Sequence, residues 1–462
     1  MDERILQTLR ALRQYAVGKG GCEVSIFYHE EQSALMRFAN SAISLNTSEH
    51  LIRLEIVASQ DRRRASCELV TDLGKLDEMK QGVDKAMAMV EHAMPLTYQP
   101  AEVVFKESFV DESGLDPALA SMSNEEKLRF FNQAVQGLET DEIKLSGIFS
   151  SGTNIVAQIN THSEHVQAFA TSDAQVTVVL AHSRLKWEVS AEQSAQRRSD
   201  LNASALHRDL EFMLDRYQHD PAMQIPVGRY DIVFGPAATA SLLEVFGWIG
   251  FNGGSMKRGF SFVAEDQVGK KVLSEKFNLV DDSECRETYP FKRDFTGILR
   301  KPFPLFEKGT FTGFTWSQDD ADEFSAQPTG HTVMHTSLVL RGGDMNVTTL
   351  EELTKMPRTR DILYIPFLHY MNIVNPSKGI ITASSRFGAL LLKKDGSVVV
   401  PFNVRLTQSL LDLFGDKVAW LSKATTPYNT SASYGARNPT ALVVPNFMLV
   451  RDLEISHSNA SY

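Results

Sequence analysis

Two pairs of histidines are the residues of this sequence whose spacing first suggests metal chemistry. His331 and His335 are four positions apart, and His162 and His165 are three apart with Glu164 between them. Two histidines one helical turn apart can share a zinc ion, and a neighbouring glutamate can serve as the general base of a hydrolase. Whether either pair forms such a site depends on the secondary structure that carries it.

The residues around His331 and His335 predict a β-strand rather than a helix. The stretch is rich in β-branched residues, follows Gly330 and ends at the pair Gly342 and Gly343. In a strand, residues four apart are separated by about 13 Å, whereas a zinc–nitrogen bond is about 2 Å long. One zinc ion cannot bind both side chains in that geometry, so this pair predicts no metal site.

The other candidate ligand groups are also weak. The spacing of His162 and His165 suits a turn, and no second cluster supplies further ligands, so we interpret both as polar residues of a loop or strand end. Two acidic runs, 281–284 and 318–324, could bind a hard cation but lack the glycine and spacing of a calcium loop. We interpret them as solvated loops. The glycine-rich run 251–259 matches neither a phosphate-binding loop nor a dinucleotide fingerprint.

The composition is that of a globular protein with an acidic surface. The chain has 462 residues, 43% of them hydrophobic, and a formal net charge of -10, which argues against nucleic acid as a partner. Its three cysteines, Cys22, Cys67 and Cys285, form no close pair and favour a reducing compartment. No signal peptide and no run of about 18 apolar residues is evident. We therefore expect a cytoplasmic protein with no membrane partner.

Residues 1–225 have the pattern of an α+β domain. Apolar residues recur at helical spacing over 5–15 and 73–90, and alternating residues between them predict antiparallel strands. Ser123 and Glu126 form a capping-box pattern at the start of another helix. The domain should therefore contain an antiparallel sheet with helices packed against it.

Residues 226–462 predict a second, strand-rich domain. A connector containing Pro221, Pro226 and Gly228 places the boundary near residue 225. Many short apolar runs are separated by turn residues, and Asp395 with Gly396 indicates a hairpin. The run 404–416 predicts one amphipathic helix among these strands. The fold class expected for the whole chain is α+β.

The order of these elements from Tyr230 onward resembles the TldD/PmbA family, also called modulators of DNA gyrase. The resemblance is carried by the strand, apolar helix and glycine-rich segment of 230–259 and by the double acid Asp281–Asp282. It extends through "FEKGTFTGF", "PTGH" and the hairpin "RFGALLLKKDGSVVVPFNV", and "RFANSAISLN" resembles the family's first domain.

The resemblance implies a zinc site that this sequence has lost. In TldD-type subunits a His-Glu-x-x-x-His helix and a distant Cys-Gly are read as the zinc ligands and the general base. Aligned on this sequence, the two histidine positions are Glu244 and Ile249, the glutamate position is Val245, and the cysteine position is Tyr434. The family's acidic Asp-Asp-Glu-Gly step is reduced to Asp294. The resemblance therefore implies no intact catalytic residue, no metal and no cofactor.

The pattern resembles the PmbA (TldE)-type subunit, which lacks the metal motif. The resemblance implies a non-catalytic subunit that pairs with a catalytic TldD-like subunit, or with itself as a homodimer, and acts on unstructured peptides. Two alternatives remain open at this point. One is a scaffold or binding homodimer without proteolytic activity. The other is a hydrolase whose active residues have moved, with His162, His165 or Glu244 as candidates.

Overall fold

The computed structural model describes residues 1–217, 221–331, 336–431, 437 and 440–459. The chain forms both helices and strands, and its strands follow one another in mostly antiparallel sheets, so the predicted α+β fold is confirmed. None of the helices in these residues is long and apolar enough to cross a membrane.

The N-terminal half is built on one large, mostly antiparallel sheet. Its elements are α1 (Glu3–Lys19), β1 (Glu23–Ala39), β2 (Ala42–Gln60), β3 (Arg63–Thr71), α2 (Leu76–Val90), β4 (Phe109–Gly114), α3 (Pro117–Ala120), α4 (Asn124–Val135), β5 (Ile143–Asn160), β6 (Ser163–His182), β7 (Glu188–Ala195) and α5 (Ala203–Tyr217). The strand order is β3-β2-β1-β5-β6-β4, and β7 pairs with the other end of β6. Only the pairing of β4 with β6 is parallel.

Local signals account for several of these elements. Ser123 and Glu126 form the predicted capping box at the start of α4. Along β1, Val24, Ile26 and Tyr28 all lie on the buried face, as the alternation predicts. The apolar stripes of α1 and α2 pack on this face and form one hydrophobic core with it.

The C-terminal half contains two further sheets. Its elements are β8 (Gly228–Phe234), α6 (Pro236–Ile249), α7 (Gly253–Lys257), β9 (Leu279–Asp281), β10 (Phe303–Glu307), β11 (Thr310–Phe311), α8 (Gln318–Phe324), β12 (Leu338–Leu340), α9 (Leu350–Lys355), β13 (Ile362–Ile365), β14 (Phe367–Asn375), β15 (Ile380–Arg386), β16 (Leu390–Leu392), β17 (Val398–Val399), β18 (Asn403–Ser409), α10 (Leu410–Phe414), β19 (Val418–Leu421), β20 (Thr425–Asn429), β21 (Ala441–Pro445) and β22 (Met448–Asn459). One sheet has the order β11-β10-β9-β12-β21-β20. The other has the order β14-β15-β18-β22-β8-β13-β16-β17, with β19 pairing β22.

Helix α6 is the centre of the C-terminal core. Its apolar residues pack against strands of both C-terminal sheets in one hydrophobic cluster. Phe246 is the hub of this cluster, with five other phenylalanine rings at centroid distances of 5.3 to 5.9 Å. A helix that is apolar on most sides is stable only when it is buried in this way. Because this core is closely packed, it holds α6 in one position.

A third hydrophobic cluster crosses the predicted boundary near residue 225. It joins α4 and α5 of the N-terminal half to Val233, Tyr364 and Phe447 of the C-terminal half. The two halves are thus held together through a shared core. The division of the chain into domains at residue 225 stays a prediction.

Three local predictions differ from the structure. The run 404–416 is divided between the end of strand β18 (Asn403–Ser409) and the short helix α10 (Leu410–Phe414), because Val404, Leu406 and Gln408 lie on the buried face of an extended segment. The acidic run 318–324 is helix α8, whose first turn is capped by Ser317 rather than being a solvated loop.

The third difference concerns the strand predicted around His331. Among the described residues of that stretch, Leu338–Leu340 forms a strand, β12, and His331 lies before it in irregular structure. His335 lies outside the described residues. The hairpin predicted around Asp395 and Gly396 is confirmed by the antiparallel pairing of β16 with β17.

Candidate functional site

The helix α6 carries three of the four positions that the family comparison singled out. Its start is fixed by Gly235 and Pro236, since proline at the first helical position is favoured. Gly235 is required here because a Cβ atom would lie 3.0 Å from the Tyr364 hydroxyl and 3.2 Å from the Pro366 Cα atom. This close approach sets the helix directly against β13, and so determines which residues of α6 face the core.

Two of the three positions on α6 are packing residues. Ile249 is buried in the C-terminal core, and Val245 is partly buried against the same cluster. Neither side chain has a lone pair or a proton to transfer, so neither can bind a metal ion or act as a base. Tyr434 lies outside the described residues. Among the positions the structure describes, only Glu244 retains chemistry.

Glu244 lies where the two halves of the molecule meet. Burial and the negative charges of Glu192 on β7 and of Glu244 all act on Tyr428 of β20 and raise the pKa of its hydroxyl. Strand β20 is held against β7 by the Asn429 backbone N–H, which donates to the Ser194 hydroxyl at 2.7 Å. One wall of this region is therefore an N-terminal strand and the other is C-terminal. We call Glu192, Asp209, Glu244, Tyr364 and Tyr428 the carboxylate–tyrosine cluster.

The remaining members of the cluster come from α5 and β13. Asp209 of α5 and Glu192 both act electrostatically on Tyr364 of β13. The cluster therefore runs from Asp209 through Tyr364, Glu192 and Tyr428 to Glu244. Three carboxyl groups share this region with two phenols, and no lysine or arginine in the described residues forms an ion pair with Glu192, Asp209 or Glu244.

Loss of hydration raises the pKa values of all three acids, although Asp209 and Glu244 are still exposed residues. Removal from water raises the pKa of Glu244 to about 7, although the side chain keeps contact with solvent. Burial also raises the pKa of Glu192 to about 7, and the interaction with the Tyr428 hydroxyl only partly opposes it. Burial raises the pKa of Asp209, while the Arg208 charge acts in the opposite direction.

Glu192 also has an unsatisfied oxygen. Its Oε2 atom is buried and has no hydrogen-bond partner among the described residues. Burial and then the negative charge of Glu192 raise the pKa of Tyr428, so this phenol stays protonated and can donate a hydrogen bond. Carboxyl groups with pKa values near neutral can hold or release a proton at physiological pH, which is a common property of functional sites.

The chain segment that contains Tyr434 is anchored on both sides by one buried aspartate. Arg437 donates from Nε and Nη2 to the two carboxylate oxygens of Asp173, at 2.8 and 2.6 Å. Asn429 donates to Asp173 from its side-chain amide at 2.7 Å. Arg437 also donates to the Ser150 hydroxyl at 2.8 Å, and its backbone N–H donates to Glu31. Both flanks of the segment are thus tied to the N-terminal sheet.

His331, one of the histidines singled out from the sequence, contacts a buried aspartate and is not part of the carboxylate–tyrosine cluster. His331 is buried, and its Nδ1 lies 2.7 Å from Oδ2 of Asp281. The other oxygen of Asp281 accepts from Arg300 at 2.9 Å and from the Ser337 backbone at 2.7 Å. Burial opposes ionisation of Asp281, but the bond with His331 and the Arg300 charge outweigh it and lower the pKa. Asp281 is therefore a buried member of this ion network, and the prediction of a solvated loop is wrong for it.

His162 and His165 fit the interpretation as residues of a turn and strand end. His162 lies in the turn between β5 and β6, where its Nε2 contacts the Glu23 carboxylate. His165 Nδ1 lies 3.4 Å from the Ser108 hydroxyl. Within the described parts of the chain, no three His, Cys, Asp or Glu side chains are grouped so that they could hold a metal ion.

The sequence did not reveal Glu192, Asp209, Tyr364 or Tyr428 as site residues. One signal was present, because Glu188, Ser190 and Glu192 alternate with Val189 and Ala191 along the first part of β7 and give that strand a polar face. What brings this face to β20 is packing between segments more than 200 residues apart, as in the contact between Ser194 and Asn429.

Comparison with known proteins identifies the fold. Residues 227–457 match the family model described as PmbA/TldA metallopeptidase C-terminal domain. A search of curated proteins gave no match. TldE from Thermococcus kodakarensis has a similar structure, with a TM-score of 0.78 and 15% identity over 98% of this chain and 100% of its own.

Two further solved structures are similar over nearly their full length. Both proteins are named, provisionally, as modulators of DNA gyrase. The one from Bacteroides thetaiotaomicron has a TM-score of 0.74 and 16% identity, covering 99% of both chains. The one from Thermotoga maritima has a TM-score of 0.72 and 15% identity over 97% of this chain and 99% of its own.

The described residues do not fit the metal ion that the word metallopeptidase implies. At the aligned positions of α6, one carboxylate stands beside two apolar side chains that belong to the core. A catalytic zinc needs three protein ligands, and Glu244 alone does not supply them. The family itself is nevertheless clear from the match over half of the sequence. This chain belongs to the TldD/PmbA family of metallopeptidase-like proteins.

Proposed function

We propose that this chain is a non-catalytic subunit of a TldD/PmbA-type peptidase. The observation that carries the proposal is the chemistry of α6, where Val245 and Ile249 pack into the core and Glu244 alone is ionisable. In this role the chain contributes one wall of a peptide-binding chamber and stabilises the subunit that holds the metal. The partner is a catalytic TldD-like subunit or, in a homodimer, a second copy of this chain.

The proposed substrate is an unstructured peptide. The carboxylate–tyrosine cluster supports this role because it combines hydrogen-bond acceptors and phenol donors, and Glu192 and Glu244 form no ion pair within the described residues. Such groups can bind the backbone and the basic side chains of an extended peptide. We place this role in the cytoplasm, in keeping with the sparse, unpaired cysteines.

A second candidate function is hydrolysis by this chain alone. It is favoured by one observation, the pKa values of about 7 for Glu192 and Glu244, both close to Tyr428. A pair of carboxyl groups in that range can act as general acid and general base. A scaffold homodimer without proteolytic activity is the third possibility. This role does not require Glu192 or Glu244 to transfer a proton.

A reconstitution assay separates the three functions. The purified chain is incubated with an unstructured, fluorogenic peptide alone, and then with an intact TldD-like subunit carrying the zinc motif. We expect no cleavage by the lone chain and at least 10-fold faster cleavage when it is added to that subunit. Cleavage by the lone chain that is lost in Glu244→Gln would establish the hydrolase. If the chain neither binds nor stimulates any TldD-like subunit, the scaffold homodimer is the remaining function.

A further inference from the structure

A pocket lies on the polar face of the nine-stranded sheet, opposite the face that packs in the C-terminal core. Its volume is about 380 Å³. Arginine, histidine, serine and asparagine side chains line it, together with one glutamate from β7. The residues that matter for its chemistry are Glu188, His369, Ser384, Arg386, Arg405 and His457.

The strand register places four of these side chains in one row across the sheet. His369 is directly opposite Ser384, Ser384 is opposite Arg405, and Arg405 is opposite His457. Directly opposite residues project from the same face with Cβ atoms about 5 Å apart. Asn403 and Asn459 form a second pair beside this row. The floor of the pocket is therefore set by backbone pairing and not by loops.

The opposite face of the same strands is the C-terminal core. Val404 and Leu406, the neighbours of Arg405 on β18, are fully buried there. Since successive residues of a strand point to opposite faces, Arg405 has to project away from the core. The prediction of a helix over 404–416 concealed this row, because it assigned the wrong period to the segment.

The pocket contains more positive charge than its own acid neutralises. Arg386 forms an ion pair with Glu188 at 3.3 Å and lies over the Phe387 ring at 4.4 Å. Arg405 has no ion-pair or side-chain hydrogen-bond partner among the described residues, although it is partly buried. A guanidinium is never neutral in a protein, so Arg405 leaves one uncompensated positive charge in the pocket.

The rim of the pocket shows a strained residue. Tyr370 has a left-handed backbone, with φ of 51°, next to an irregularity in the pairing of β14 with β15. A non-glycine residue in this region is strained, and such residues are often found at functional sites. The bulge leaves the Tyr370 side chain 71% exposed, with its ring 4.1 Å from the His369 ring. An exposed aromatic ring is thus presented at the pocket mouth.

We propose that this pocket binds the C-terminal carboxylate of a peptide, with Arg405 as the principal partner. A carboxylate matches the planar fork of a guanidinium and accepts two parallel hydrogen bonds from it. Ser384 and the asparagine amides offer further neutral donors. Glu188 makes a doubly charged phosphate less suitable, because two arginines and one glutamate leave a single net positive charge.

The position of the pocket connects it with the carboxylate–tyrosine cluster. Glu188 and Glu192 are four residues apart on β7 and share its polar face, so they are separated by about 13 Å. That distance equals about four residues of an extended peptide. The pocket would therefore hold the end of a peptide that passes Glu192. This inference rests on the proposed function, since it assumes that the bound molecule is a peptide.

Titration calorimetry with matched ligands tests the inference. The probes are one unstructured nonapeptide with a free C-terminus, the same peptide with a C-terminal amide, the N-acetylated C-terminal residue as acid and as amide, and inorganic phosphate. We expect the acid peptide to bind about 10-fold more tightly than the amide. This preference should disappear in Arg405→Gln and weaken in His457→Asn, a change at an exposed position. It should persist in Arg451→Gln, which removes the same charge from β22 outside the pocket.

The outcomes separate the pocket from the proposed function. Equal binding of acid and amide peptides would overturn the pocket and leave peptide binding intact. Another outcome is that neither peptide binds, but the acetylated acid binds and Arg405→Gln abolishes that binding. This result would support the carboxylate site and contradict the proposed peptide function. Binding of neither peptide nor acetylated acid, or tighter binding of phosphate than of the acid, would overturn the inference. A chain ending at Asn459 must show the same preference, and its loss there would assign the effect to residues 460–462.

Discussion

The molecule contains two groups of acids with reduced access to water that differ in how their charges are balanced. Around Asp173, Arg437 provides two short hydrogen bonds, and nearby Glu31 has Arg53 at 3.1 Å. In the carboxylate–tyrosine cluster, Glu192 and Glu244 have no cationic partner within the part of the chain that the structure describes. The acids of the first group are paired with arginines that connect distant segments of the chain. The second has raised pKa values and unused acceptors, so it remains available for a ligand or a proton.

The largest effect is expected where the charges are saturated. Asp173→Asn leaves the Arg437 guanidinium, whose side chain is 2% exposed, without its counter-charge. Breaking a buried ion pair by removing one partner costs about 3–5 kcal/mol of unfolding free energy. Urea denaturation at pH 7 measures it. The matched control is Arg184→Gln, which breaks an exposed pair with Glu142 and should cost less than about 1 kcal/mol. Equal losses of unfolding free energy in the two variants would show that the buried pair of Asp173 and Arg437 contributes no more than an exposed pair.

An opposite and pH-dependent effect is expected for Glu192. Its folded-state pKa of about 7 lies above the ordinary value of 4.5, so ionisation is disfavoured in the folded protein. The resulting cost is absent below pH 4.5, grows between pH 4.5 and 7, and is complete above pH 7. Glu192→Gln removes that cost and should stabilise the protein by about 1–3 kcal/mol at pH 8. Denaturation at pH 4.5 should show no such gain.

A stabilisation at pH 4.5 as large as that at pH 8 would show that the gain does not come from the carboxylate charge. A loss of stability at pH 8 would show that an unseen cation balances Glu192.

The smallest effect of the three is expected at Glu244. Its pKa is also raised to about 7 by loss of water, but its side chain is exposed and its charge is screened. Glu244→Gln should therefore stabilise the protein in the same pH range as Glu192→Gln, by less than about 1 kcal/mol. Thermal unfolding of the two variants in parallel at pH 8 gives the order directly. A larger gain for Glu244 would reverse the assigned degrees of burial.

The fold was predictable where the signal is local. The capping box of Ser123 and Glu126 and the alternation of Val24, Ile26 and Tyr28 identified their elements correctly, because neighbouring residues determine them. The prediction of one helix over 404–416 failed because the second half of this segment is apolar enough to resemble a helix, and the alternation before it is short. Leu410–Phe414 does form a helical turn.

The sites were less predictable because they depend on distant parts of the chain. Glu192 and Tyr428 are far apart in sequence and meet only through the packing of β7 against β20. Asp281 lies in an acidic run that suggested a solvated loop, but Arg300 and His331 compensate its burial. A pattern of residue types cannot show whether a charge has a partner. The family resemblance did locate Glu244, Val245 and Ile249 on one helix, which no periodicity could have singled out.

The central claim is that this chain holds no catalytic metal ion. Elemental analysis of the protein, purified without chelators or a metal-affinity tag and then dialysed, tests it most directly. The account predicts essentially no zinc per chain, because α6 presents one carboxylate and two core residues at the aligned positions. About one tightly held zinc ion per chain would contradict it and would require a ligand set other than the aligned positions of α6.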